Sequence, residues 1–187
     1  AKIDMFEQET TERIKEIWSE FHSDPHKMAI GSTLSVDDHD TISLRVKNSP
    51  NYLFPVFASK EAYYLMFSQF QDNMFFLTFL DDYRNNPDTA QPYMTIRMFD
   101  DLASSKDICL KRADHLPNLS SAEAQVLQSM VTNAYLDNEY FTTHIETFSA
   151  APEKFDFEKA VSGLYDMNAA ALADLGSVLR PSTPAAP

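Results

Sequence analysis

The chain has 187 residues, 44% of them hydrophobic, and its 15 basic against 28 acidic side chains give a net charge of -13. Phosphate backbones are bound by clustered Lys and Arg, so this balance argues against a nucleic-acid partner. A lone cysteine, Cys109, excludes an internal disulfide and a cysteine-rich zinc site, and the apolar run from Met74 to Leu80 is far shorter than the roughly 20 residues of a membrane helix, so no membrane span is expected.

The first 30 residues carry Asp4, Glu7, Glu9, Glu12, Glu16, Glu20 and Asp24. A transit peptide is basic and acid-poor, and a secretory signal has an apolar middle, so we expect no targeting segment in this stretch. Ile14, Ile17, Trp18 and Phe21 recur at helical spacing, with Thr10 or Thr11 available as a cap, and predict a helix from about Thr11 to His22. Ser35 with Asp38 three residues on looks like a capping pair, although Ile42, Leu44 and Val46 alternate as a strand would; a helix is the better reading.

From Tyr52 to about Asp114 aromatic and β-branched runs predict strands. They are separated by Ala58-Ser59-Lys60, by Gln71-Asp72-Asn73 and by a polar link from Asp81 to Pro92. Ser120 followed by Glu123 forms a capping box that opens a helix through Val126, Leu127, Met130, Ala134 and Tyr135. A further strand is expected over Tyr140 to Phe148 and a closing helix over Phe157 to Leu175, interrupted by Gly163. Together these elements predict an α+β fold: a mainly antiparallel meander with helices packed at both chain ends. Residues 1–176 are expected to form one domain and 177–187, with three prolines, a disordered tail.

The hairpin "YYLMFSQFQDNMFFLTFL" holds more apolar content than one sheet face can use. A three-residue loop at Gln71-Asp72-Asn73 would set Phe70 opposite Met74, Ser68 opposite Phe76, Met66 opposite Thr78 and Tyr64 opposite Leu80. Tyr64, Met66, Phe70, Met74 and Phe76 would then share one face, either covered by more of the chain or left for a partner. These five are the candidate partner-binding residues. Methionines suit such a surface because unbranched thioethers repack easily.

Catalytic signatures are sparse. Three glycines, Gly31, Gly163 and Gly176, are too scattered to make a phosphate-cradling loop. His22, His26 and His39 with the nearby aspartates are the nearest approach to a metal cluster, but Pro25 breaks the helix that would align two imidazoles. Cys109 lies in an alternating strand-like run and reads as a small hydrophobe. We expect neither a cofactor nor enzymatic activity; a hydrolase or transferase with a dispersed site remains an open alternative.

The order of these motifs carries a resemblance. "IWSEFH", "SPNYLFPVFASKEAYYLMFSQF", "MFFLTFLDDY", "AQPYMTIRMFDDL", "KDICLKRAD", "SSAEAQVL" and "YFTTHIETFSAAPEKFDF", spread over about Ile14 to Phe157, resemble the ATP11 family of mitochondrial assembly factors for the F₁ sector of ATP synthase. The resemblance implies a chaperone, without nucleotide or metal, that holds the free F₁ β subunit in the mitochondrial matrix and keeps it from aggregating until the α subunit covers it. A monomer is expected. The signature positions carried over are Pro50, Phe54, Pro55, Phe75, Thr78, Tyr83, Pro92, Glu123, Ala124, Glu146, Thr147 and Phe148, with Ser149 standing where the family usually has Asn. The alternative reading is a binding or regulatory subunit of another complex.

Overall fold

The computed structural model describes residues 3–179. Helices α1 (Ile3–Phe6) and α2 (Thr11–Phe21) lead into strand β1 (Ala29–Leu34) and helix α3 (Val36–Arg45). Strands β2 (Asn51–Phe57), β3 (Tyr63–Gln71) and β4 (Met74–Phe79) follow, then α4 (Leu80–Asn85), β5 (Met94–Phe99), α5 (Ala103–Lys106) and β6 (Cys109–His115). The chain continues through α6 (Ser121–Leu136), α7 (Asn138–Tyr140), a π-helical turn (Phe141–Glu146) and α8 (Thr147–Ala150). Helices α9 (Phe157–Met167) and α10 (Ala169–Leu179) close it. The strands form one antiparallel sheet in the order β1-β6-β5-β4-β3-β2, so the fold is α+β with a meander, as the patterning predicts.

Capping chemistry fixes the helix starts. Thr10 accepts from the Arg13 amide, Ser35 from that of Asp38, and Ser120 and Glu123 exchange both bonds of a capping box. The main core lies between the inner face of the sheet and α3, α6, the π-helical turn and α9, around Phe54, Met66, Leu77, Met94, Ile96, Leu127, Met130 and Tyr135. Each such side chain contributes on the order of 1.5–3 kcal/mol on burial. A smaller core on the outer face joins Phe6, Ile14 and Trp18 to Leu102, Ile108 and Leu110.

Two glycines are required by close approach. A Cβ on Gly31 would lie 2.9 Å from the Trp18 carbonyl and 2.4 Å from His22 Nδ1, so glycine is needed where α2 rests on β1. Gly163 likewise lets α9 meet the Tyr140 ring, which a Cβ would approach to 3.1 Å.

Several expectations are corrected. The segment before α3, where no element was expected, is a strand, β1, paired over its whole length with β6; its Gly-Ser-Thr centre lacks the alternation that marks a strand. The link after β4 contains α4. Tyr140 to Phe148 is helical, because Tyr140, Phe141, His144, Ile145 and Phe148 recur at helical spacing despite their β-forming residue types. The closing helix passes through Gly163 and breaks at Asn168, whose side chain donates to the Leu164 carbonyl at 2.8 Å. Of the expected tail, 177–179 belong to α10 and the remainder lies outside the described residues.

The β3–β4 hairpin departs from expectation by one residue. Asp72 and Asn73 both adopt positive φ, 51° and 61°, and form a two-residue turn, so Gln71 pairs with Met74, Phe70 with Phe75, Ser68 with Leu77 and Met66 with Phe79. Asn and Asp tolerate this conformation better than other non-glycine residues. A slip of one residue in a strand pair exchanges the faces of every side chain on one strand.

Candidate functional site

The register divides the five residues singled out from the sequence between two surfaces. Tyr64, Met66 and Phe70 face inward with Phe75, Leu77 and Phe79, whereas Met74 and Phe76 face outward with Leu65 and Phe67. Met66 is wholly buried. Tyr64 is half-buried with its ring 5.6 Å from that of Phe79, and burial pushes its phenol up to about 12. Phe70 packs edge-on against Phe75 at 4.8 Å. These three belong to the main core or its margin.

On the outer face, Leu53, Leu65, Phe67, Met74 and Phe76 are all half-buried, with Gln69 and Gln71 directly opposite Phe76 and Met74. Helix α4 covers part of this strip through Tyr83, whose ring lies 4.6 Å from Phe67. Toward β5 and β6 the strip ends in polar residues: Thr95, Arg97, Arg112 and Asp114, the last two joined by a bidentate ion pair at 2.7–3.0 Å.

Beyond that polar band the outer face opens into a cleft of about 550 Å³ between α1, α2 and strands β5 and β6. Ile3, Phe6, Ile17, Trp18, Phe99 and Leu110 make its walls, Met5 and Phe21 stand at it 68% and 57% exposed, and Glu9 and Asp101 also line it. His22 lines the cleft too and is buried; its Nδ1 lies 2.7 Å from the Trp18 carbonyl. A carbonyl only accepts, so Nδ1 carries the proton, and burial lowers the ring's pKa and keeps it neutral. Its Nε2 is therefore a buried acceptor, without a hydrogen-bond partner among the described residues. Sequence reasoning recognised the α2 stripe but not the cleft, because the opposing wall comes from Phe99 to Leu110, far away in the chain.

Other perturbed groups serve the core. Lys111 on the inner face is 5% exposed and donates to Thr132 Oγ1 at 2.6 Å; desolvation alone lowers it to about 8. Burial raises the Cys109 thiol to about 11, far from an activated thiolate. Tyr52, Tyr140 and the Ala160 carbonyl form a buried hydrogen-bonded chain, and burial raises both phenols. None of these groups lines the cleft. Among the described residues no group of three or more His, Cys, Asp or Glu is placed to hold a metal ion.

The signature positions have structural work of their own. Pro55 occupies the edge strand β2, where a missing amide leaves no ladder bond unmade. Phe54, Phe75 and Ala124 are core, and the buried Thr78 lies on β4. The Pro50 carbonyl accepts from Phe70, and Pro92 precedes β5. Glu123 closes the capping box and Tyr83 covers Phe67. Glu146, Thr147 and Phe148 lie at the junction of the π-helical turn and α8 rather than in a strand: Thr147 Oγ1 donates to the Thr142 carbonyl, Phe148 packs on Tyr52 and Phe155, and Glu146 and Ser149 are exposed.

Comparison with known proteins gives a consistent result. The family model described as ATP11 protein matches residues 1–161. The chain is 24% identical over 164 residues to the Homo sapiens protein named ATP synthase mitochondrial F1 complex assembly factor 1, covering 87% of this chain and 49% of that one. It is 23% identical to the Mus musculus protein of the same name, covering 87% of this chain and 50% of the relative. The chain thus spans about half the length of the curated relatives it matches.

Proposed function

The chain belongs to the ATP11 family, and from that premise we propose that it is a non-catalytic assembly chaperone for the F₁ sector of ATP synthase. Its client is the unassembled β subunit, which it holds in the mitochondrial matrix and protects from aggregation until the α subunit takes its place. The observation that carries this reading is the half-buried set of apolar side chains on the outer face of the sheet, Leu53, Leu65, Phe67, Met74 and Phe76, interrupted by Gln69 and Gln71. A holding chaperone must cover a partner's unpaired apolar interface with an apolar surface of its own, and a Met on that surface adapts to it. The net charge of -13 keeps such a protein from associating with itself. No helix of the described residues is long and apolar enough to cross a membrane.

Of the residues singled out from the sequence, Met74 and Phe76 supply client contacts directly, whereas Tyr64, Met66 and Phe70 support the strand from beneath. Light scattering of the isolated β subunit during heating, with and without an equimolar amount of this protein and without ATP, tests the reading. Suppressed aggregation that is relieved by adding α subunit supports it. Unchanged aggregation in the presence of the folded chain rejects it.

A further inference from the structure

The two edges of the sheet are built differently. The Met28 carbonyl accepts from the His115 amide at 3.0 Å in continuation of the β1–β6 register, so Ile30, Ser32 and Leu34 exchange their backbone hydrogen bonds with β6. The alternate residues Ala29, Gly31 and Thr33 therefore turn their N–H and C=O groups away from β6, and none of these groups has a hydrogen-bond partner among the described residues. At the opposite edge the Pro50 carbonyl accepts from Phe70, so Asn51, Leu53, Pro55 and Phe57 face outward from β2, and Pro55 removes the amide from the middle of that row.

We infer that β1 is a docking edge that accepts an extended segment of the unassembled client as a further, antiparallel strand. The inference rests on the reading of the chain as a holder of that client.

Three observations carry it. First, β1 lacks the devices that blunt an edge: its sequence Ala-Ile-Gly-Ser-Thr-Leu has neither charge nor proline, and its unbroken pairing with β6 leaves no bulge. Second, its neighbours lie above and below the edge rather than across it. Gly31 lets α2 rest on the outer face, whereas Ser32 on the inner face reaches Gln128 of α6 at 3.5 Å, and Ile30, Gly31, Ser32 and Thr33 all keep part of their surface in solvent. Third, the outward groups dictate their own partner. Donor and acceptor recur together on alternate residues, about 7 Å apart, a spacing that another extended backbone matches.

Charge selects the source of that backbone. A second copy of the chain would bring a further net charge of -13 against the first, so self-pairing along this edge is disfavoured and a strand of a different polypeptide is the occupant. The incoming residue opposite Ile30 lies on the inner face at the margin of the main core and favours an apolar side chain.

Single-residue hydrogen exchange reads the edge directly. In the free protein the amides of Ala29, Gly31 and Thr33 should exchange at least about tenfold faster than those of Ile30 and Ser32, and in a complex with the isolated F₁ β subunit they should slow at least about tenfold. Thr33→Pro removes an amide that faces away from β6, as Pro55 does at β2, so its melting temperature should stay within a few degrees of wild type while its hold on β weakens about tenfold. A complex that leaves the three amides unprotected, or a folded Thr33→Pro protein that holds β as tightly as wild type, overturns the proposal. Protection already present in the free protein, together with a dimer in sedimentation, overturns it in favour of a second copy. The last arm uses an end-blocked peptide of alternating Thr and Val with a Lys at each end, and its N-methylated counterpart. Protection of the three amides by the first peptide alone, without any holding of β by wild type, supports the edge as a strand-binding site and sinks the client assignment. No protection by β or by either peptide overturns the edge itself.

Discussion

Lys111 offers the sharpest test of how the core is built. Its ammonium group sits on the inner face between Thr132 and the sheet, donates to Thr132 at 2.6 Å, and is shifted by desolvation alone from 10.5 to about 8. That displacement corresponds to about 3 kcal/mol of lost stability at neutral pH. Below pH 8 the folded and unfolded states both hold the proton and the whole cost is present. Between 8 and 10.5 the folded state has released its proton while the unfolded state has not, so stability rises with pH.

Cys109, raised from 9.0 to about 11, acts in the opposite direction above pH 9 because its unfolded thiol ionises first. Comparing wild type with Lys111→Met at each pH cancels that contribution. Thr132 still donates to the Gln128 carbonyl at 2.9 Å in the variant, so the lost bond removes only about 1 kcal/mol. Lys111→Met should therefore be more stable than wild type by about 2 kcal/mol at pH 7, a rise of about 1 M in the urea midpoint. The advantage should shrink toward zero by about pH 10. Urea unfolding followed by Trp18 fluorescence measures both quantities. A variant less stable at pH 7, or a difference that does not change with pH, would show that the lysine is solvated or paired and refute the reasoning.

Other perturbations separate core from surface. Gly163→Ala should destabilise by about 1–3 kcal/mol, because the Tyr140 ring it meets is anchored through its hydroxyl to Tyr52 and Ala160 and cannot retreat; thermal unfolding measures this. Ser120→Ala removes one half of the capping box and should cost about 1 kcal/mol in the same assay. Met66→Ala, at a wholly buried site, should cost about 2–5 kcal/mol. Phe76→Ser, on the half-buried strip, should leave the melting temperature within a few degrees of wild type yet weaken suppression of β-subunit aggregation. A Phe76→Ser protein that protects its client fully would remove the strip from the binding surface.

Much of the fold was legible because caps and stripes are local. Thr10, Ser35 and the Ser120–Glu123 box mark three helix starts, and alternating aromatic runs mark the meander. What was lost turns on single residues or distant partners. Counting Gln71 into the turn moves the register by one and places Met74 and Phe76 with Met66, whereas the paired left-handed residues Asp72 and Asn73 put them on opposite sides. The Thr- and Phe-rich run after Asp137 has β-forming residue types, but the Asp137 cap and the packing of Phe141 and Ile145 into the core fold it as helix. The cleft was invisible because its walls lie far apart in the chain and meet only in the fold, where Phe6, Ile14 and Trp18 pack on Leu102, Ile108 and Leu110 and Trp18 Nε1 donates to the Lys111 carbonyl.

The most direct test of the central claim is gel filtration of this protein mixed separately with purified, unassembled F₁ β and α subunits, followed by addition of α to any complex formed. A complex with β that α dissolves is the predicted result. Binding to neither subunit, or a β complex that α leaves intact, would contradict a chaperone that holds β until α replaces it.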